Sequence, residues 1–243
     1  MSQLDLALEA EISTRHLSFL ETGRARPSRE MILRLADQLE VPLRERNVIL
    51  VAAGFAPLFP ERALDDPALA AARRAVDTIL AVHEPCPALA IDRRWNLVAA
   101  NRALGPLLAG VDEALLAGPV NVMRLALHPK GLAPRIANLA EWRGHLLERL
   151  RRQIELTADA ELEALMAELK AYPPPPASDR RPADYGGVAV PLQLVTPRGM
   201  LSFISTTTVF GTPVDVALSE LALETFFPAD AATAEALRAA MAG

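Results

Sequence analysis

The sequence predicts an α+β protein: an all-α bundle at the front, then an α+β domain built on an antiparallel sheet. Three observations carry this. Residues 2 to 53 keep helical spacing in short pieces. Residues 54 to 67 (GFAPLFPERALDDP) bring three prolines and a shift of composition, and after Tyr185 the apolar period falls to two. The expected division is 1–55 for the bundle, 56–67 for a linker and 68–243 for the larger domain.

Each element has its own signal. Ser2 is placed to cap a helix from Gln3 to Ala10, with Leu4, Leu8 and Ala7 facing inward. Ser13 caps the next, whose buried side is Leu17, Leu20 and His16, and Gly23 is placed to end it. Pro27 and Ser28 open a third helix with Ile32, Leu33, Leu35, Ala36 and Leu39 as its apolar side. Pro42, at a first-turn position, starts a fourth that ends near Gly54.

In the larger domain a helix covers Ala68 to Val82. Leu89 and Ile91 alternate as a strand, Asp92-Arg93-Arg94 turns, and Asn96 to Ala99 returns as a second strand. Asn101 to Leu108 reads as a helix. Ile136, Leu139, Arg143, Leu146, Leu147, Leu150 and Ile154 keep helical spacing, as do Leu162, Leu165, Met166 and Leu169. The proline run 173–176 is either a rigid connector or a segment read by a proline-binding partner. Val188, Val190, Leu192 and Leu194 share one strand face. Pro197-Arg198-Gly199 turns into a strand over Met200 to Phe210, and Leu221, Leu223, Thr225 and Phe227 alternate in another. Ala229 to Ala240 closes as a helix. Two early strands, intervening helices and three late strands give an antiparallel sheet with helices on one side.

Composition narrows the function classes. With 243 residues, 51% hydrophobic and 23% charged, the chain can bury a sizeable core and is not disordered. A net charge of −5 excludes a general nucleic-acid coat protein but not a local DNA-binding face, because phosphate steering follows local charge. Cys86 is the single cysteine, so intramolecular disulfides and Cys-rich zinc sites are excluded. Between Pro85 and Pro87 it is expected to be an inert core thiol. Asp5, Glu9 and Glu11 interrupt any signal-like run, and no uncharged stretch approaches the ~20 residues of a membrane span. The expectation is a soluble cytoplasmic protein with no membrane partner.

The first two helices, joined by a short turn at Glu11 to Ser13, have helix-turn-helix spacing, in which the second helix enters the major groove of double-stranded DNA. Thr14, Arg15, Ser18 and Thr22 would then face outward. Arg15 suits a guanine edge or a phosphate, and Thr14 and Ser18 suit base edges or backbone. Gln3 is placed for a phosphate contact, and Arg24, Arg26 and Arg29 add positive charge beside the groove. Periodicity alone equally allows a helical bundle whose polar faces are only solvated.

The run SxxxLSxLExGRxRPS, matched by Ser13, Leu17, Ser18, Leu20, Glu21, Gly23, Arg24, Arg26, Pro27 and Ser28, resembles the xenobiotic-response-element (lambda-repressor-like) helix-turn-helix regulators. The resemblance covers residues 1 to 55 and implies operator DNA as a partner. It also implies a five-helix bundle, so a helix preceding Ser2 is expected to be missing and DNA binding to be weak without it. Glu11 stands where the family's turn usually has glycine, at a cost on the order of 1 kcal/mol.

Residues 68 to 243 offer no catalytic constellation. His16, His83, His128 and His145 lack metal spacing, no serine lies in GxSxG, and Asp92, Asp215 and Glu224 read as strand-end or surface carboxylates. Neither cofactor nor metal is expected. A large apolar interior is instead punctuated by Trp95, Asn96, Asn101, Asn121, Arg124, His128, Trp142 and Arg143. Arg143 shares a helical face with Leu139, Leu146 and Leu150. Either it snorkels or pairs with a carboxylate, or it or Arg124 holds the acidic head of an apolar ligand.

The segments WNLVAANRAL, NVMRLALHPKGLAPRIANLAEWRGHLL and GMLSFISTTTVFGTPVDVALSELALETFFPAD resemble the MmyB-like ligand-binding domain found behind helix-turn-helix regulators. That resemblance implies a PAS-like fold and a small apolar, fatty-acid-like ligand. Its motif positions fall on Trp95, Asn96, Asn101, Asn121, Arg124 and Trp142. The leading expectation is a homodimeric, ligand-sensing transcription regulator and not an enzyme. The alternatives are a lipid-binding module with an impaired DNA reader and an enzyme acting on acyl substrates.

Overall fold

Ser2 starts the first helix with a capping box: its hydroxyl accepts the Asp5 N–H, and the Asp5 carboxylate accepts the Ser2 N–H. The computed structural model describes residues 2–175, 190–211 and 213–241. Its elements run α1 (Gln3–Glu9), α2 (Thr14–Glu21), α3 (Arg29–Gln38), α4 (Leu43–Ala52), α5 (Ala70–Val82), β1 (Ala88–Ile91), β2 (Leu97–Ala100), α6 (Glu113–Leu116), α7 (Val122–Leu127), α8 (Leu139–Thr157), α9 (Ala160–Ala171), β3 (Leu192–Thr196), β4 (Gly199–Val209), α10 (Val216–Ser219), β5 (Ala222–Pro228) and α11 (Ala231–Met241). Two compact units form. One is Met1–Leu69 with Phe210–Glu220; the other is Ala70–Val209 with Leu221–Gly243.

In the first unit Ala7, Ala10, Leu17, Ile32, Ala36 and Leu50 make the core, joined by Val216 of α10. Leu4 and Leu8 do not face inward: they are 64% and 77% exposed, because α1 turns its alanine side, Ala7 and Ala10, to the bundle. Gly23, at φ 69°, ends α2 in a Schellman motif, with Arg24 N–H donating to Phe19 O and Gly23 N–H to Leu20 O. Glu11 takes the left-handed conformation (φ 54°) expected of the turn. Asp215 is not a surface group. It is fully buried, caps α10 through the Ala217 N–H, and accepts from Arg62 Nη1 at 3.2 Å. Arg44 of α4 holds Glu61 and Glu220 together.

The second unit is built on a five-stranded sheet in the order β2-β1-β5-β4-β3, antiparallel at every pairing. Its inner face carries Leu89, Leu192, Leu194, Phe203 and Phe226 beneath α7 and α8. Phe227, the next residue on β5, points the other way and stacks edge-on against His83 beyond α5, at 4.9 Å between ring centres. Helices therefore cover both faces rather than one. β5 is buried on both sides, so Glu224 and Phe226 face inward while Leu223 and Thr225 fill the far side. Residues Arg102–Leu108 form a 3₁₀ helix in place of an α-helix, because Pro106 lacks the N–H that an α-helix interior needs. Ile136 lies outside α8 and bridges to Leu194. Val188 and Pro176 lie outside the described residues.

Candidate functional site

Of the residues expected to meet DNA, Ser13, Thr14 and Arg15 lie at the N-terminal end of α2, Gln3 starts α1, and Arg24 and Arg26 follow the far end of α2. Ser13 caps that helix, its hydroxyl accepting the His16 N–H at 3.1 Å, so its first duty is local. Thr14 and Arg15 are exposed on the first turn, and the Arg15 guanidinium lies 5.3 Å from the Phe19 ring centre. Ser18 is half-buried one turn on. Gln3 donates its amide to Glu21 at 2.6 Å, which ties the start of α1 to the end of α2. Arg24 and Arg26 are exposed on the loop after Gly23.

In the larger unit the predicted ligand residues part into three groups. Trp95 and Trp142 reach an apolar cavity of about 90 Å³, walled also by Leu104, Met123, Leu146 and Phe203. Asn96, Asn121 and Arg124 line a different, polar cleft with Arg94, Glu161 and Glu168. Asn101 and Arg143 reach neither.

Hydrogen bonding explains the division. Asn101 is a buried brace, accepting from the Ala88 N–H and donating to the Leu80 and Cys86 carbonyls. Asn121 caps α7 through the Met123 and Arg124 N–H groups and donates to Arg94 O at 2.8 Å. Asn96 donates to Asp92, whose carboxylate also accepts the Arg94 and Asn96 N–H groups and so fixes the β1–β2 turn. Arg124 forms a forked pair with Glu168, which holds that carboxylate below its ordinary range. Arg143 reaches across to α9 and donates to the Leu169, Lys170, Tyr172 and Pro173 carbonyls, closing that helix's C-terminal end.

Two cavity residues escaped the sequence reading. Arg149 lies seven residues after Trp142 and three after Leu146, on the side of α8 that lines the cavity; Arg143 is one position round from Trp142. Glu224 is not the strand-end or surface carboxylate that the sequence suggests: it is 5% exposed and shares the cavity wall with Arg149. Arg149 Nη2 donates to Glu224 Oε1 at 2.5 Å and Nη1 to Oε2 at 3.3 Å, and its guanidinium lies 4.8 Å from the Trp95 ring centre. The helical i, i+4, i+7 spacing of Trp142, Leu146 and Arg149, and the inward parity shared by Glu224 and Phe226, are the signals that find them.

Trp95 itself sits at φ 66°, a conformation that strains a bulky residue by about 1 kcal/mol or more. Its carbonyl accepts from Val122 N–H and its indole N–H donates to Gln153 at 2.7 Å, so the surroundings hold it there. Gly131 packs against the backbone of α7: a Cβ would lie 2.3 Å from Leu125 O, so only glycine fits. Cys86 is half-buried, and burial pushes its thiol up. Among the described residues no group of three or more His, Cys, Asp or Glu side chains is arranged to hold a metal ion, and no helix is long and apolar enough to cross a membrane.

Comparison with known families covers both units. The model for the helix-turn-helix matches residues 1–46, and the model for the MmyB-like transcription regulator ligand binding domain matches residues 72–240. No curated protein matches the chain significantly. A DNA-reading module followed by a ligand-binding domain makes a ligand-responsive, DNA-binding transcription regulator, and the chain belongs to the MmyB-like transcription regulator family.

Proposed function

We propose that this regulator senses a small apolar molecule held in the cavity between the sheet and α7–α8. The supporting observation is the wall itself: apart from Arg149 and Glu224 its lining is hydrocarbon and aromatic. An engineered 150 Å³ apolar cavity takes benzene; at about 90 Å³ this one holds a few heavy atoms as it stands. A longer guest, such as a long aliphatic chain, has to displace leucines and Met123. Such a ligand acts through its preference for a form in which those side chains have moved apart.

The strand order β2-β1-β5-β4-β3 supports a PAS-like reading of this domain. β4 and β5 contribute Phe203 and Phe226 to the cavity, and the segment joining them, 210–220, belongs to the compact unit that carries α1–α4. Expansion of the cavity thus has a covalent route to the DNA-reading helices. In a cytoplasmic homodimer on double-stranded operator DNA, recognition helices must sit about 34 Å apart, so small displacements alter affinity. Thr14, Arg15, Ser18, Arg24 and Arg26 are the residues we assign to DNA, with Gln3 and Ser13 holding α1 and α2 in place. The role is regulatory rather than enzymatic.

The test is a mobility-shift titration against the DNA upstream of the gene, with and without the neutral apolar probe N-phenyl-1-naphthylamine. Probe fluorescence should rise on binding and operator affinity should change. Binding of the probe with no change in DNA affinity would instead favour a lipid-binding module whose reader is impaired.

A further inference from the structure

The charge balance of the cavity wall points to the kind of polar group its ligand carries, an inference that rests on the cavity being the ligand site. Arg149 and Glu224 are the charged residues lining it. Both oxygens of Glu224 are engaged: Oε1 accepts from Arg149 Nη2 at 2.5 Å and from Thr207 Oγ1 at 2.8 Å, and Oε2 from Arg149 Nη1 at 3.3 Å. Arg149 Nη2 also reaches Thr207 Oγ1 at 2.9 Å. The cation at the cavity is therefore already neutralised, within a network that buries its own counter-ion to 5% exposure.

We infer that the ligand is uncharged at this wall: an aliphatic alcohol, ketone or ester class of molecule, and not a carboxylate anion. An incoming carboxylate has two ways to reach Arg149, and both are unfavourable. It can share the guanidinium with Glu224, which sets two anions side by side at an apolar wall. It can displace Glu224, which leaves that carboxylate buried without its partner. A neutral oxygen meets neither penalty. Three of the five N–H donors of Arg149 serve Glu224 and Thr207, so a hydroxyl or carbonyl can accept from the guanidinium without disturbing the pair. A hydroxyl can also donate to Glu224 Oε2.

Chain-matched probes test this on the full-length protein at pH 8, where octanoate is ionised. Displacement of N-phenyl-1-naphthylamine is measured for 1-octanol, 2-octanone and octanoate. The neutral probes should bind at least about ten-fold more tightly than octanoate, a lower bound on what like-charge juxtaposition costs. Glu224→Gln keeps the shape and removes the competing charge, so octanoate should gain about ten-fold relative to 1-octanol. If that variant fails to fold, the double variant E224Q/R149M, which is neutral without an ion pair, should retain 1-octanol and still reject octanoate. Octanoate binding as well as or better than 1-octanol to the unmodified protein overturns the inference while leaving the cavity as ligand site. Failure of N-phenyl-1-naphthylamine itself to bind overturns the site and the inference together.

Discussion

Trp95 donates its indole N–H to Gln153 Oε1 at 2.7 Å, whereas the indole N–H of Trp142, on the same cavity wall, is buried with no acceptor among the described residues. The two substitutions to phenylalanine remove the same atoms but not the same interactions. Trp95→Phe deletes a hydrogen bond and strands a glutamine oxygen; Trp142→Phe deletes a donor that was already unsatisfied. Trp95→Phe should be the more destabilising by about 2 kcal/mol, the sum of a net hydrogen bond and a stranded acceptor. Urea denaturation followed by far-ultraviolet circular dichroism measures the difference, and equal losses would contradict it.

Glu11 gives a prediction of the opposite sign. Its φ of 54° is unfavourable for any residue with a Cβ, and its carboxylate makes only an exposed 3.6 Å pair with Arg34. Glu11→Gly should stabilise the helical unit by about 1 kcal/mol once the small loss of a surface pair is subtracted. A shift of the thermal midpoint to higher temperature is the expected result.

The helices and strands were legible in the sequence because their signals are local: caps at Ser2, Ser13 and Ser28, the glycine at 23, and the β-branched and aromatic run of β4. The site was legible only in part. Trp95 and Trp142 were found as large aromatic residues in an apolar domain, and both line the cavity. Asn101 and Arg143 carry polar groups that the fold spends on its own backbone, which no local pattern distinguishes from ligand binding. Arg149 and Glu224 lie 75 residues apart and meet only through the packing of α8 on β5, so neither advertises the other. Leu4 and Leu8 show the same limit: helical period locates an apolar stripe, but the bundle chose the alanine side of α1.

His145 predicts a pH dependence. Burial, then the neighbouring Arg149 charge, holds its imidazole below the ordinary value of 6.5. The unfolded chain therefore takes up a proton that the folded one resists. Its contribution to stability is present above pH 6.5 and is lost as the pH falls from there through the folded-state value. Stability of the ligand-binding unit should decline just below pH 6.5, ahead of the carboxylates such as Glu168, which titrate lower. His145→Asn should flatten that part of the profile, and denaturant midpoints between pH 5 and 8 would show it.

Arg44 carries the last prediction. Its guanidinium donates to Glu220 through Nε at 2.6 Å and Nη2 at 3.0 Å and to Glu61 through Nη1 at 2.9 Å, with only 23% of its side chain exposed. These bonds fasten both α10 and the segment after α4 to one residue of α4, and Glu220 precedes by four positions the cavity residue Glu224. Arg44→Met keeps the stem and removes the donors, so the C-terminal end of the segment 213–220 should be held less firmly, at a cost of about 2 kcal/mol, while Asp215 and Val216 still hold its start. Amide hydrogen exchange in that segment should accelerate while exchange in α2 stays slow. If the β4–β5 connection transmits the ligand signal, Arg44→Met will bind N-phenyl-1-naphthylamine and operator DNA separately yet show no effect of one on the other. Undiminished coupling in that variant would place the route elsewhere, because coupling between two sites depends on the element whose equilibrium both of them bias.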